Sequence, residues 1–147
     1  MSAALAIFMR WLHVTSVVSL IGGFIYARVV VWPALESFGT GESPALIEAM
    51  AARFRGLLYT LLATTIGSGL YNYLTKAAYP PHYHMWIGIK FLLVLHVVAV
   101  AILYSLPSSA PNKRKRWLSG MAISGLIIIA ISAGLRWMTL NYLTQKP

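Results

Sequence analysis

The chain contains no cysteine and almost no acidic residues. Without cysteine it can form no disulfide, hold no iron–sulfur cluster and attach no haem covalently through a C-x-x-C-H motif. Only three of its 147 residues are acidic, namely Glu36, Glu42 and Glu48, and they stand together between two apolar stretches. Carboxylate acid–base catalysis, a Ser-His-Asp triad, a carboxylate metal site and a proton relay of carboxylates are therefore disfavoured.

Charge of either sign is also scarce. Charged residues make up 10% of the chain and hydrophobic residues 59%, with a mean hydropathy of +0.71, which is too apolar for a soluble domain. Four apolar stretches, residues 11–32, 56–75, 86–106 and 117–140, reach the ~20 residues that cross a hydrocarbon core. The sequence predicts an all-α integral membrane antiparallel four-helix bundle, with 1–147 as a single domain.

The basic residues set the expected orientation. The only basic run, Lys113 to Arg116, lies between the third and fourth stretches, and short basic loops stay on the cytoplasmic side. Both termini and the 76–85 loop are then predicted to lie outside. The protein is expected to be a multi-pass protein of the inner (cytoplasmic) membrane, in contact with the lipid bilayer. We interpret the basic run as a topology determinant at anionic headgroups and not as a nucleic-acid patch.

The first connection, residues 33–55, is expected to be a cytoplasmic loop in which the three glutamates are solvated. Within it, Ser43 followed by Pro44 has the pattern of a helix N-cap and first helical residue. This pair predicts a short helix that begins there and runs into the second stretch.

Two histidines, His13 and His96, fall inside apolar stretches. Ionisable side chains at membrane depth are costly and mark functional sites. From a rise of ~1.5 Å per residue, both are predicted to crowd the outer half of the bundle with Arg10, Lys90 and Arg136. Buried cations without a carboxylate need a partner from outside the chain, which is a lipid phosphate, an anionic ligand or a cofactor that carries carboxylates. Haem b supplies one, because its iron takes imidazole ligands and its propionates neutralise cations.

Helical phase separates two of these candidates. Lys90 and His96 are six residues apart, so they point about 120° away from each other around a helix. His13 and His96 are therefore predicted as the iron ligands, with Lys90 extending to a propionate. The simpler alternative for a histidine in a membrane span is a hydrogen bond to a neighbour such as Ser16 or Tyr59.

The outer loop offers a second candidate metal site. His82, His84 and Met85 would supply imidazole and thioether donors, which suit copper better than hard cations. His84 could instead be a haem ligand at the mouth of the third span. An exposed loop that binds no metal is the remaining alternative.

Several short motifs are spread over nearly the whole chain. They are a basic residue before Trp-Leu-His at 10–13, Gly-Gly at 22–23, Arg-Phe-Arg at 53–55, Gly-x-Gly at 67–69 and Gly-Ile-Lys at 88–90. This pattern resembles the copper-resistance protein D (CopD) family and is similar to the HemJ-type protoporphyrinogen oxidases.

The two resemblances imply different chemistry. The HemJ-type resemblance implies a four-helix membrane haem b protein whose first-span histidine and third-span lysine matter most, here His13 and Lys90. It also implies porphyrinogen oxidation, although this chain lacks the Asn-Glu-x-Pro sequence before its fourth span and carries His96 in its third. The copper-type resemblance implies copper uptake or delivery at the outer face.

The sequence thus predicts a b-type cytochrome that carries out electron transfer near the outer face, to a quinone or a partner protein. Oxidoreductase activity stays open, and no catalytic residue is assigned. Two alternatives also stay open. One is a copper uptake or delivery protein that uses the His-x-His-Met loop, and the other is an accessory subunit of a respiratory complex or a homo-oligomer.

Overall fold

The computed structural model describes residues 3–37, 43–76, 79–106 and 111–144. Helix is the only regular structure in these ranges, and each of the four predicted stretches is helical to within one residue of its end, so the all-helical prediction is confirmed. The helices are α1 (Ala3–Tyr26), α2 (Trp32–Ser37), α3 (Ser43–Leu74), α4 (Tyr83–Ser105) and α5 (Pro111–Thr144).

A single π-helical turn, Ala27–Val31, joins α1 to α2 without a break. Pro33 follows it, and in a regular α-helix a proline ring clashes with the carbonyl four residues earlier and has no N–H to donate. A wider turn just before the proline accommodates both defects. The prediction of a loop from residue 33 is therefore wrong, because the helix continues to Ser37. The helix predicted to start at Ser43 is confirmed, and it runs unbroken to Leu74.

Within the described ranges, three helical segments are long and apolar enough to cross a membrane: Ala3–Ser37, Tyr83–Ser105 and Asn112–Thr144. The 32 residues of α3 also exceed the length required, but threonine, glycine and asparagine dilute its apolar character. These helices are compatible with a multi-pass membrane protein. That α3 crosses the bilayer stays a prediction.

The helices pack around two apolar clusters at different depths. α1 packs against α3 and α5, and α4 packs against α5 and α3, so α1 and α4 lie diagonally opposite. The end of the bundle that holds the basic run is called the inner end and the opposite end the outer end, after the predicted orientation. All the helices contribute to a large cluster towards the inner end, and three residues near the outer end form a small one. Lys90 of α4 lies between the small-cluster residue Ile87 and the large-cluster residue Val97. A layer that holds polar side chains thus separates the two apolar clusters.

The described carboxylates pair with the basic run at the inner end. Glu48 lies 2.6 Å from Arg114, and Glu36 lies 2.6 Å from Lys115. Glu36 is 55% exposed, as expected of a solvated carboxylate, whereas Glu48 is 38% exposed. Both pair with the basic start of α5, which the sequence did not predict; Glu42 lies outside the described residues. Arg114 is 2% exposed, so it is a packing residue and not a headgroup contact.

Candidate functional site

His13 lies where α1 meets α3. Its Nδ1 is 3.0 Å from the carbonyl oxygen of Thr65 and 3.1 Å from the Oγ of Ser68. The ring rests directly on Gly69, where an added Cβ would come within 2.9 Å of the imidazole Cε1. Such a distance is shorter than normal van der Waals contact, so only glycine leaves room for this ring position.

The hydrogen bonds around His13 define its tautomer. The hydroxyl of Ser68 donates to the carbonyl of Thr64 at 2.5 Å, which leaves the serine oxygen free to accept. A carbonyl oxygen can only accept, so both neighbours of Nδ1 require a proton there. His13 Nε2 therefore carries the lone pair, and it is the atom available to a metal or a proton.

The simpler alternative, a hydrogen bond from His13 to a neighbouring serine, is met by Ser68 and not by Ser16 or Tyr59. Ser16 donates its hydroxyl to the backbone of its own helix, and Tyr59 is exposed on α3. Thr65 and Ser68 lie about two turns of α3 farther out than Tyr59. The packing of α1 on α3 selects this position.

Lys90 shares this layer with His13. It is half-buried on α4 and lies within electrostatic range of the imidazole. Lys90 is seven residues from the outer end of α4, or about 10 Å, and Gly69 is five residues from the outer end of α3, or about 8 Å. The structure therefore brings His13 and Lys90 together at one depth.

His96 lies elsewhere. It is exposed on α4, with its Nε2 3.9 Å from the point where a Cβ on Gly120 of α5 would lie. It is six residues, about 9 Å, deeper than Lys90, and within the described ranges its ring makes no hydrogen bond. The structure does not bring His96 to His13, since the two rings contact different helices.

The predicted outer cations are present, with one addition. Arg10 and Arg136 are exposed on α1 and α5. Lys76, after the end of α3, donates to the Oγ1 of Thr139 at 2.7 Å and lies 3.7 Å from the centre of the Tyr83 ring. Burial and the nearby Arg10 both hold the pKa of Lys76 below its usual value. Sequence reasoning missed Lys76, because a lone lysine at a helix end gives no signal of its contacts.

The three residues of the candidate outer metal site lie at the start of α4. His82 takes a left-handed conformation (φ 62°) just before α4. The ring of His84 packs 5.2 Å from that of Tyr79, and its Nδ1 is 3.4 Å from the hydroxyl of Tyr73. Met85 is exposed. The described residues contain no group of three histidine or acidic side chains that could hold a metal ion.

Two polar atoms near the His13 layer lack a partner in the described part of the chain. They are the Oγ1 of Thr65 and the hydroxyl of Tyr71, and both are buried. A bound molecule with polar groups would satisfy them. A cavity of about 30 Å³ lies instead near the inner end, lined by Trp32 and Tyr104 among others. It has room for a water molecule but not for haem.

Comparisons with models of protein families, with curated proteins and with solved structures give no significant match.

Proposed function

We propose that this protein is a membrane haem b protein in which His13 supplies an axial imidazole near the outer face. One observation carries the proposal: His13 Nδ1 bonds to the Thr65 carbonyl, so that Nε2 presents its lone pair. Metal-bound histidines almost always donate their second ring nitrogen to a carbonyl or carboxylate in this way. The resemblance to the HemJ-type proteins points to the same residue.

The surroundings of His13 fit haem b in charge and polarity. Lys90 brings a cation to the layer, and the carboxylates of Glu36 and Glu48 pair at the opposite end. A propionate would neutralise that cation, and two buried polar atoms lack partners nearby. Bound haem would supply one-electron transfer, to a quinone or a partner protein. The chain's own residues fix the ring orientation, place the positive charge and keep the site within the apolar bundle.

Lys90 takes precedence over His96 as the second residue of the site. Lys90 shares the depth of His13, whereas His96 is exposed at another level against α5. Lys90 would either pair with a propionate or serve as a second ligand of the iron. For the copper alternative, the described contact of a loop imidazole is with tyrosine: His84 Nδ1 lies 3.4 Å from the hydroxyl of Tyr73.

The test is titration of purified protein with haemin, followed by the Soret band. His13→Ala should lose the band, because the iron loses its imidazole. Ser68→Ala should weaken haem affinity by about tenfold, the usual effect of removing a hydrogen-bond partner from a metal-bound histidine. Lys90→Met should also weaken binding or shift the band.

Two variants serve as matched controls, because each removes an imidazole outside the proposed site. They are His96→Leu and the double variant His82→Ala with His84→Ala. Their spectra should equal that of the unchanged protein. Absence of a Soret band in the unchanged protein, or an equal band in His13→Ala, would contradict the proposal. Loss of the band in His96→Leu alone would reinstate His96 as a ligand. Copper that stays bound to the unchanged protein through purification, but is absent from the double alanine variant of His82 and His84, would favour the copper alternative.

A further inference from the structure

Lys76 is held in place by neutral groups from two helices. Its ammonium donates to the Thr139 hydroxyl of α5 and lies over the Tyr83 ring of α4. Thr139 gives its own proton to the carbonyl of Leu135 at 2.7 Å, so its oxygen accepts from Lys76 without competition. These contacts fix the ammonium but do not neutralise it, and at least one of its three N–H donors stays available.

A second cation lies nearby. The side-chain amide of Asn72, near the end of α3, donates to the carbonyl of Met9 at 3.4 Å, which places Arg10 of α1 beside the end of α3, within electrostatic range of Lys76. No carboxylate in the described ranges approaches either side chain, because Glu36 and Glu48 are paired at the inner end. Two like charges fixed on different elements favour an anion bound between them. That anion must come from outside the described chain.

The position of this pair indicates which anion it meets. Lys76 follows the last residue of α3, and Tyr83 is the first residue of α4, so the pair lies where these helices reach the membrane surface. Tyr73, Tyr79 and Tyr83 pack against one another at the same level, as aromatic residues do at the headgroup region. Phospholipid phosphates occupy this level, and basic side chains there attract anionic lipid.

We propose that Arg10 and Lys76 form a binding site for the phosphate group of an anionic phospholipid in the outer leaflet. Arg10 supplies a planar set of donors and Lys76 a fixed point charge, a combination that suits phosphate oxygens. The site lies above the His13 layer and does not depend on haem. A free phosphate ion offers the same chemistry, so the source of the phosphate has to be tested.

Native mass spectrometry of the full-length protein in neutral detergent, titrated with phosphatidylglycerol, measures this binding. Arg10→Gln and Lys76→Gln should each weaken it by about fivefold, the loss expected for one basic side chain at a membrane surface. Lys113→Gln, which removes an exposed cation at the inner end, is the matched control and should leave binding unchanged. Lys76→Arg keeps the positive charge and should retain most of the affinity for the lipid. This result would show that Lys76→Gln weakens binding through loss of charge and not through misfolding.

Further arms identify the ligand. Phosphatidylcholine should bind more weakly than phosphatidylglycerol, and inorganic phosphate at millimolar concentration should not displace the lipid. If inorganic phosphate displaces the lipid, and this displacement disappears in Lys76→Gln, the site binds phosphate but its ligand is the free ion. Equal lipid affinity in Arg10→Gln, Lys76→Gln and Lys113→Gln would overturn the proposal.

The His13→Ala variant separates this site from the proposed haem site. It should bind phosphatidylglycerol as tightly as the unchanged protein, whether or not haem binding is lost. If His13→Ala abolishes lipid binding in a protein that still folds, the two cations belong to the His13 site and the separate lipid site is disproved.

Discussion

At the scale of single residues, Gly69 decides whether the histidine site exists. The imidazole of His13 occupies the space that a side chain at this position would need. With the ring against the backbone of α3, Nδ1 comes within hydrogen-bond distance of Thr65 and Ser68. The absence of one Cβ therefore fixes both the position and the tautomer of the proposed ligand.

Gly69→Ala should displace His13, because the new Cβ would lie 2.9 Å from the ring Cε1. We expect a loss of about 1–3 kcal/mol of stability, as for other insertions into packed sites, together with a weaker Soret band on haemin titration. Unfolding by sodium dodecyl sulfate in mixed micelles measures the first effect.

Gly67→Ala is the control for this change, since an added Cβ at Gly67 meets nothing within 4 Å. It should cost no stability and leave haem binding intact. If both alanine variants behave alike, close packing of His13 on Gly69 is not what positions the ring.

At the scale of helices, Arg114 connects three elements at the inner end. Its guanidinium binds Glu48 of α3 at 2.6 Å and the carbonyl of Leu106, just after α4, at 2.9 Å. The carbonyls at the end of a helix lack partners within the helix, so Arg114 satisfies one of them while it joins α5 to α3. Lys115 and Glu36 form a second link from α5 to α2, but in a much more exposed position.

Glu48→Gln should destabilise the protein by about 1–3 kcal/mol, because it leaves the buried charge of Arg114 without its anion. The estimate is below that for a fully buried pair, since Glu48 is 38% exposed. Thermal unfolding in detergent, followed by circular dichroism, measures the change.

Glu36→Gln removes the same charge from the exposed pair and provides the comparison. Exposed ion pairs contribute little in water, and Glu36 is 55% exposed. We expect a melting temperature close to that of the unchanged protein. An equal loss in both variants would mean that burial of Arg114 does not set the strength of its pair.

At the scale of the whole molecule, charge is segregated between the two ends. The described carboxylates and the basic run pair at one end. At the other end Arg10 and Lys76 lie within electrostatic range of each other, with no carboxylate nearby in the described ranges. The predicted orientation places the paired end in the cytoplasm and the end with excess positive charge outside. The location of the proposed haem and phosphate sites follows from this orientation.

The absence of cysteine makes the orientation measurable with single-cysteine variants. His82→Cys should react with a membrane-impermeant thiol reagent in intact cells, whereas Ser37→Cys and Asn112→Cys should react only after permeabilisation. All three positions are exposed. Because only α3 separates Ser37 from His82, opposite labelling of these two positions requires α3 to cross the membrane.

Labelling of Ser37→Cys and His82→Cys from the same side would show that α3 does not cross. Labelling of both Ser37→Cys and Asn112→Cys in intact cells, with His82→Cys protected, would reverse the orientation. Either result would move the proposed haem site away from the outer face.

Composition and apolar length determined the all-helical class, and the four stretches required no tertiary information. Burial of apolar side chains and internal satisfaction of the backbone are local properties at membrane depth, so sequence patterns record them. The start of α3 was also predictable, because Ser43-Pro44 is a local signal. Even the divergence of Lys90 from His96 followed from helical phase alone.

The choice between those two residues required the tertiary structure. Helical phase gives the angle between side chains on one helix, but not which neighbour each side faces. Packing of α1 on α3 at Gly69 placed His13 with Thr65 and Ser68. Packing of α4 brought Lys90 within electrostatic range of His13 and left His96 near Gly120 of α5. Contacts between distant segments depend on the rotation and depth of whole helices, which no single segment encodes.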